Sequence, residues 1–199
     1  MVFNFTEYPE EMARRGAYAK GVAKREEILA AALAVVAELG YRKASVREIA
    51  EAAGLSPAGL LHYFGSKDEL FVAILEARDE RDTREYAGRG FIEAFLAVIR
   101  HNAEVPGLVR LYANLAADAG DPDHPAHAFF QERTERMQAV ALGAVTEAQQ
   151  EGTIRADLDP LWIMRAAHAL ADGLQTAWMI NPETDMAADV EAFLQVLRP

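Results

Sequence analysis

Apolar residues recur every three to four positions along almost the whole chain, and no stretch shows a strand's alternation. Ile28, Ala32, Val35 and Leu39 mark one face of a helix over residues 24–39 that ends at Gly40. Ser45-Val46-Arg47-Glu48 has the form of a capping box, in which Ser and Glu exchange hydrogen bonds with free N–H groups of the first turn. The helix it opens runs to about residue 53 and stops at Gly54. Ser56-Pro57 opens another, because Pro is tolerated in a first helical turn. Ser66-Lys67-Asp68-Glu69 reads as a second capping box, followed by Leu70, Phe71, Ile74 and Leu75 on one face. Longer helices are expected over 91–101, 106–119, 126–150, 160–180 and 185–197, with Gly120 to Pro125 as a loop. The expected class is all-α: a small N-terminal three-helix head followed by a larger helical body.

The chain has 199 residues and a net charge of −11, but that charge is unevenly spread. Residues 12–70 hold nine Lys or Arg against seven Asp or Glu, whereas residues 71–199 hold eleven against twenty-one. Such a chain has no general attraction to a polyanion, although its head could approach one. The longest apolar run, Ile28 to Ala37, is too short to span a bilayer, and the first residues lack the pattern of a secretory signal. Asn4-Phe5-Thr6 fits a glycosylation pattern by chance, and a cytoplasmic protein is expected.

Catalytic chemistry finds little to stand on. Cys is absent, which removes thiol nucleophiles and thiolate metal sites. Gly88-Arg89-Gly90 lacks the third glycine and the strand of a phosphate loop, and paired Glu-x-x-His motifs are missing. Asp121, Asp123, His124 and His127 read as a solvated turn rather than a metal site. His168 and Asp172, one helical turn apart, read as a local hydrogen bond rather than a dyad. No enzyme activity, cofactor or metal is expected.

The informative stretch runs from Ser45 to Glu69. Two short helices crossing closely need a small residue at the contact, which Ala50 supplies, and a sharp turn, for which Gly54 can take a positive φ. Ile49, Ala53, Leu55 and Leu60 would lock the pair, leaving the outer face of the second helix free to enter a major groove. Arg47-Glu48-Ile49-Ala50, Ala53-Gly54-Leu55-Ser56, His62-Tyr63-Phe64 and Ser66-Lys67-Asp68-Glu69-Leu70 together resemble the DNA-binding domain of TetR-type transcriptional regulators. Two positions depart from that pattern. Ala58-Gly59 stands where the family often has Gly-Thr or Gly-Ser, and Leu61 stands where it has Tyr. Both point to thin base readout.

The resemblance implies roles for the matched residues. Ser45 and Arg47 would touch phosphates beside the groove, and Ser56, Pro57, Ala58 and Gly59 would lie nearest base edges. His62 and Tyr63 would reach sugar-phosphate, and Lys67 a phosphate at the next helix's N-terminus. Residues 1–23 would form a flexible arm before a head over 24–70, and the cations upstream of the motif, Arg14, Arg15, Lys20, Lys24 and Arg25, would track phosphates or enter a minor groove. Residues 71–199 would bind a small apolar or aromatic effector and pair two subunits, giving a homodimeric repressor on a palindromic operator. Phe95, Ile99, Tyr112, Phe129, Met137, Trp162, Met164, His168 and Trp178 are the candidate pocket residues. Ala167, Ala171, Leu174, Val190, Phe193 and Leu197 are the candidate dimer face, since the family pairs its last two helices into a four-helix bundle. The competing reading is a helical small-molecule or metal-binding protein without DNA binding. Arg47, His62, Tyr63 and Lys67, which no buried core requires, speak against it.

Overall fold

Helical periodicity carries through to nine helices in a computed structural model that describes residues 8–199, with side chains from Lys20 onward except Pro106. They are α1 (Tyr8–Leu39), α2 (Val46–Ala52), α3 (Pro57–Phe64), α4 (Lys67–Glu85), α5 (Phe91–Glu104), α6 (Pro106–Asp118), α7 (Ala126–Gln150), α8 (Pro160–Ile180) and α9 (Met186–Val196). No strand occurs among the described residues.

The first helix corrects the expectation of a flexible arm: residues 8–23 continue α1 without a break. Nine of its sixteen residues are Ala, Glu, Arg or Lys, strong helix formers that favour continuing the helix despite Gly16 and Gly21. Residues 1–7 lie outside the described residues, as do the side chains of Arg14 and Arg15.

Local signals set the ends of the short helices. Ser45 Oγ accepts from the Glu48 N–H at 3.3 Å, and the Ser45 N–H donates to Glu48 Oε2 at 2.8 Å, completing the box. At α4 only half of the expected second box forms. Ser66 Oγ accepts from the Glu69 N–H at 3.1 Å, but the Ser66 N–H donates to the Phe64 carbonyl instead. With that donor taken, the Glu69 carboxylate lies against Gly65. The turn after α2 closes as expected: Gly54 has φ +65°, and the Leu55 N–H reaches back to the Ala50 carbonyl at 2.8 Å.

Two cores result. Ile28, Ala32 and Val36 of α1 pack with Ile49, Ala50, Leu60 and Phe64, and the same cluster continues through Leu70, Phe71 and Leu75 of α4 to Leu111 and Leu115 of α6. The boundary expected between residues 70 and 71 therefore falls inside both a helix and a core. The reason is α4, whose Leu70, Phe71, Ala73, Ile74 and Leu75 are buried and which serves head and body at once. The second core gathers α5, the end of α7, α8 and α9 around Ile99, Val145, Ile163, Val190 and Leu194. Gly107 sits where α6 meets α1; a Cβ there would lie 2.9 Å from the Leu33 carbonyl, so the two backbones touch.

Candidate nucleic-acid interface

Leu60 and Phe64 anchor α3 in the core, which turns Pro57, Ala58, Leu61 and His62 outward. Ser56 caps this helix: its Oγ accepts from the Gly59 N–H at 3.0 Å. A Cβ on Gly59 would lie 3.2 Å from that hydroxyl, a tight approach that the serine would have to yield to by a few tenths of an ångström. Leu61 and Tyr63 remain exposed although apolar, the composition of a face that expects another surface. His62 and Tyr63 meet edge to face at 6.3 Å. Ser45 and Arg47, at the start of α2, are exposed, and so are Arg42 and Lys43 in the turn just before them. Those last two cations escaped the sequence reading because no motif contains them.

Lys67 is the first residue of α4. Its ammonium lies 5.7 Å from the Tyr41 ring centre and 5.4 Å from that of Phe71. Two other cations expected on the arm have different work. Lys24 Nζ donates to the Ala53 carbonyl at 2.9 Å, closing the C-terminus of α2, and also pairs with Glu27. The Arg25 guanidinium lies 5.1 Å from the Phe64 ring. Both brace the head from within, because α1 runs alongside it rather than trailing free.

Behind the head, a cleft of about 880 Å³ opens between α4 and α7, lined by Val72, Glu76, Asp79, Glu80, Thr83, Arg84, Pro125, Ala128, Phe129, Glu132 and Arg136. Of the nine pocket candidates only Phe129 lines it. Ile99 and Met164 are buried, and Phe95 stacks on Phe91 at 5.8 Å. Trp178 packs against the second core, while Tyr112 is buried in the first. Trp162 and Met137 are exposed, at 51% and 41%. His168 lies half-exposed, with Nε2 3.5 Å from Asp172 Oδ2, a local pair at ion-pair distance rather than the hydrogen bond expected. The set was drawn from aromatic content, and aromatic content does not record which side of a helix faces the cleft.

The floor of the cleft holds a feature that periodicity hides. Asp79 Oδ1 accepts from Arg78 Nη2 at 2.7 Å, and Asp79 Oδ2 from Arg133 Nε at 2.7 Å, with both arginines buried. Each guanidinium also lies against the Tyr112 ring, at 5.3 and 5.2 Å. Burial alone would raise the Asp79 pKa, but the two charges outweigh it and hold the carboxyl below its usual range. Tyr112 is pushed up to about 12, chiefly by burial, and stays neutral. In the loop before α7 only the two carboxylates are solvated as expected: Asp121 Oδ1 accepts from the Asp123 N–H, whereas His124 Nδ1 accepts from the Ala126 N–H with its Nε2 3.8 Å from Asp68, and His127 Nδ1 lies 2.9 Å from the Ala119 carbonyl. No cluster of metal-ligating side chains occurs among the described residues.

The dimer candidates require correction. Val190, Leu197, Ala167 and Ala171 are buried in the subunit's own second core, and Leu174 and Phe193 pack on its edge. The stripe that periodicity revealed is the face that closes the subunit. The opposite face of α8 leaves Trp162, Ala169, Gly173, Ala177 and Ile180 exposed, the last at 82%. On α9 it leaves Ala188, Ala192 and Val196. None of the helices is long and apolar enough to cross a membrane.

Comparison with known proteins agrees with this geometry. Residues 28–74 match the family described as bacterial regulatory proteins, tetR family. The HTH-type transcriptional repressor Rv1474c of Mycobacterium tuberculosis is 31% identical over 140 residues, covering 68% of this chain and 72% of that protein. The repressor KstR2 of the same species is 28% identical over 149 residues, with the same coverage. Among solved structures, a TetR transcription regulator from Haloarcula marismortui superposes with a TM-score of 0.74 at 19% identity, over 88% of this chain and 96% of that one. A transcriptional regulator, FadR of Bacillus subtilis in complex with stearoyl-CoA, superposes with a TM-score of 0.68 at 22% identity, over 86% and 96%. With its capped two-helix reading head, the all-α body behind it and a repressor matched over two thirds of both chains, this protein belongs to the TetR family of bacterial transcriptional regulators.

Proposed function

We propose that the protein is a cytoplasmic repressor that binds a palindromic operator as a homodimer and is released by a small molecule. The observation that carries this reading is the outward face of α3, with Ala58, Leu61 and His62 exposed between Arg47 and Lys67. Residues 56–59 lie nearest the base edges, while Ser45, Arg47, His62, Tyr63 and Lys67 meet the backbone on either side. Leu61, in place of a polar residue, suits a thymine methyl group. Two such helices would enter successive major grooves about 34 Å apart. Titrating labelled DNA from upstream of its own gene, with random DNA as competitor, tests this. Saturable binding that survives the competitor supports it, and equal affinity for both sequences contradicts it.

The partner subunit is assigned to the exposed face of α8, where Ala169, Gly173 and Ala177 permit close approach between Trp162 and Ile180. Ile180→Asp should leave each subunit folded, since the side chain touches little of its own chain. It should shift sedimentation from about twice the 21.9 kDa chain mass toward a single chain. A dimer that survives Ile180→Asp together with Gly173→Arg would place the interface elsewhere.

The effector of this reading has an apolar or aromatic body that rests on Val72 and Phe129 in the α4–α7 cleft. The charged rim of Glu76, Glu80, Glu132, Arg84 and Arg136 favours one that also carries polar groups. Because α4 leads straight into the head, a ligand that displaces it changes the spacing of the two reading helices. By linkage, operator binding must weaken effector binding by the same factor.

A further inference from the structure

A lysine at the first position of a helix is poorly placed: its charge faces the positive end of the helix dipole, which favours carboxylates there. Lys67 occupies that position at α4, and no carboxylate lies within 4 Å of its ammonium among the described residues. Something else must hold it. The Tyr41 and Phe71 rings lie 5.3 Å apart at 41°, and the ammonium sits within 5.7 Å of both centres. A ring face carries partial negative charge, so two of them offset the unfavourable dipole and fix the lysine's direction.

Phe71 is wholly buried and belongs to the core in any case. Tyr41 does not. It lies in the turn between α1 and α2, half-exposed, and its hydroxyl donates to Asp118 Oδ2 at 2.7 Å across 77 residues of sequence. Asp118 is the last residue of α6, so the ring is steered from the body of the protein. Burial first, and Asp118 second, raise the phenol's pKa, so the hydroxyl remains a donor at any pH the protein meets.

We propose that Tyr41 is a positioning residue for the contact between Lys67 and DNA: its ring carries the lysine ammonium, and its hydrogen bond to Asp118 fixes that ring to α6. This rests on the reading of the head as a DNA-binding surface. It also gives the body a second route to the DNA besides α4, because any movement of the α6 C-terminus reaches Lys67 through one side chain.

The test is a double-mutant cycle, read as affinity for the upstream DNA and for random DNA at fixed low salt. Tyr41→Leu should weaken both about three- to five-fold, the worth of a partly exposed cation–ring contact. In a Lys67→Ala background it should change neither. A residue that only stabilised the fold would weaken binding in both backgrounds. Tyr41→Phe keeps the ring but loses the bond to Asp118, so it should fall between the parent and Tyr41→Leu in the lysine-dependent part of the affinity; a variant equal to the parent would remove Asp118 from the account. Should Tyr41→Leu fail to fold by circular dichroism, a fluorinated phenylalanine at position 41 keeps the shape while removing the negative ring face. It should reproduce the loss relative to Phe. If Lys67→Ala weakens DNA binding while the Tyr41 variants act independently of it, this inference falls alone. If Lys67→Ala leaves DNA binding unchanged, the placement of the head on DNA falls with it.

Discussion

Ala58→Glu is expected to abolish operator binding, at least a hundred-fold, or about 3 kcal/mol, while leaving the protein folded. Ala58 is the second residue of α3 and is exposed, so a longer side chain meets nothing of its own chain. Glu is a good helix former, and a carboxylate in the first turn complements the helix dipole, so thermal stability should hold or rise. The loss comes from the partner: a fixed negative charge enters a groove walled by phosphates. Electrophoretic shift and melting curves on the same sample separate the two effects. Ala58→Ser, which adds one small polar group, should instead alter preference among single-base operator variants more than total affinity. If Ala58→Glu bound the operator as well as the parent, α3 would not be the reading helix.

Asp79→Ala should cost about 3–5 kcal/mol of stability, the usual penalty for removing one partner of a buried ionic cluster. Two buried guanidinium groups, Arg78 and Arg133, would lose the carboxylate that hydrogen-bonds both of them and keep the Tyr112 ring and the more distant charges of Asp82 and Asp172. For a chain of this length the midpoint of thermal unfolding should fall by roughly 10 °C. The effect should depend on pH with a definite sign. Asp79 has its folded-state pKa depressed, so its contribution is complete above the ordinary carboxylate pKa of about 3.9 and fades as pH falls through the lower folded value. Asp79→Asn should therefore differ most from the parent near neutrality and least in strong acid. Asp82 runs the other way, since burial raises its pKa. The same substitution loosens α4 from α7, and operator affinity should fall with it. A loss under 1 kcal/mol would mean that water reaches the guanidinium groups and that the cluster does not tie the two helices together.

Much of the head was legible in the sequence because its signals are local. Ser45 with Glu48, Gly54, Ser56 with Pro57, and Ser66 each act within four residues, and the helices begin and end where those residues direct. The exposed face of α3 followed from the same spacing once Leu60 had been assigned inward; that Phe64 is a second anchor emerged only from the fold. Lys24 and Arg25 were misjudged because charge marks a residue as polar without saying what it meets; one closes α2 and the other covers Phe64. The body was harder for a related reason. Val190, Phe193 and Leu197 form a true apolar stripe, but a stripe does not say whether it meets its own chain or a second copy. The outward stripe of α8 holds Arg165 and small residues, Ala169, Gly173, Thr176 and Ala177, between Trp162 and Ile180, which reads in sequence as a solvated helix face. Arg78, Asp79 and Arg133 lie on two helices 54 residues apart and look like solvated charges until the fold brings them together.

The claim that everything else depends on is that two copies of α3 read one operator. Hydroxyl-radical footprinting of the protein on its highest-affinity upstream fragment tests it most directly. The account predicts two protected windows on one face of the duplex, centred about one helical turn apart and related by two-fold symmetry, with two chains bound per site. Protection of a single window by one chain, or none at protein concentrations that saturate random DNA, would contradict it.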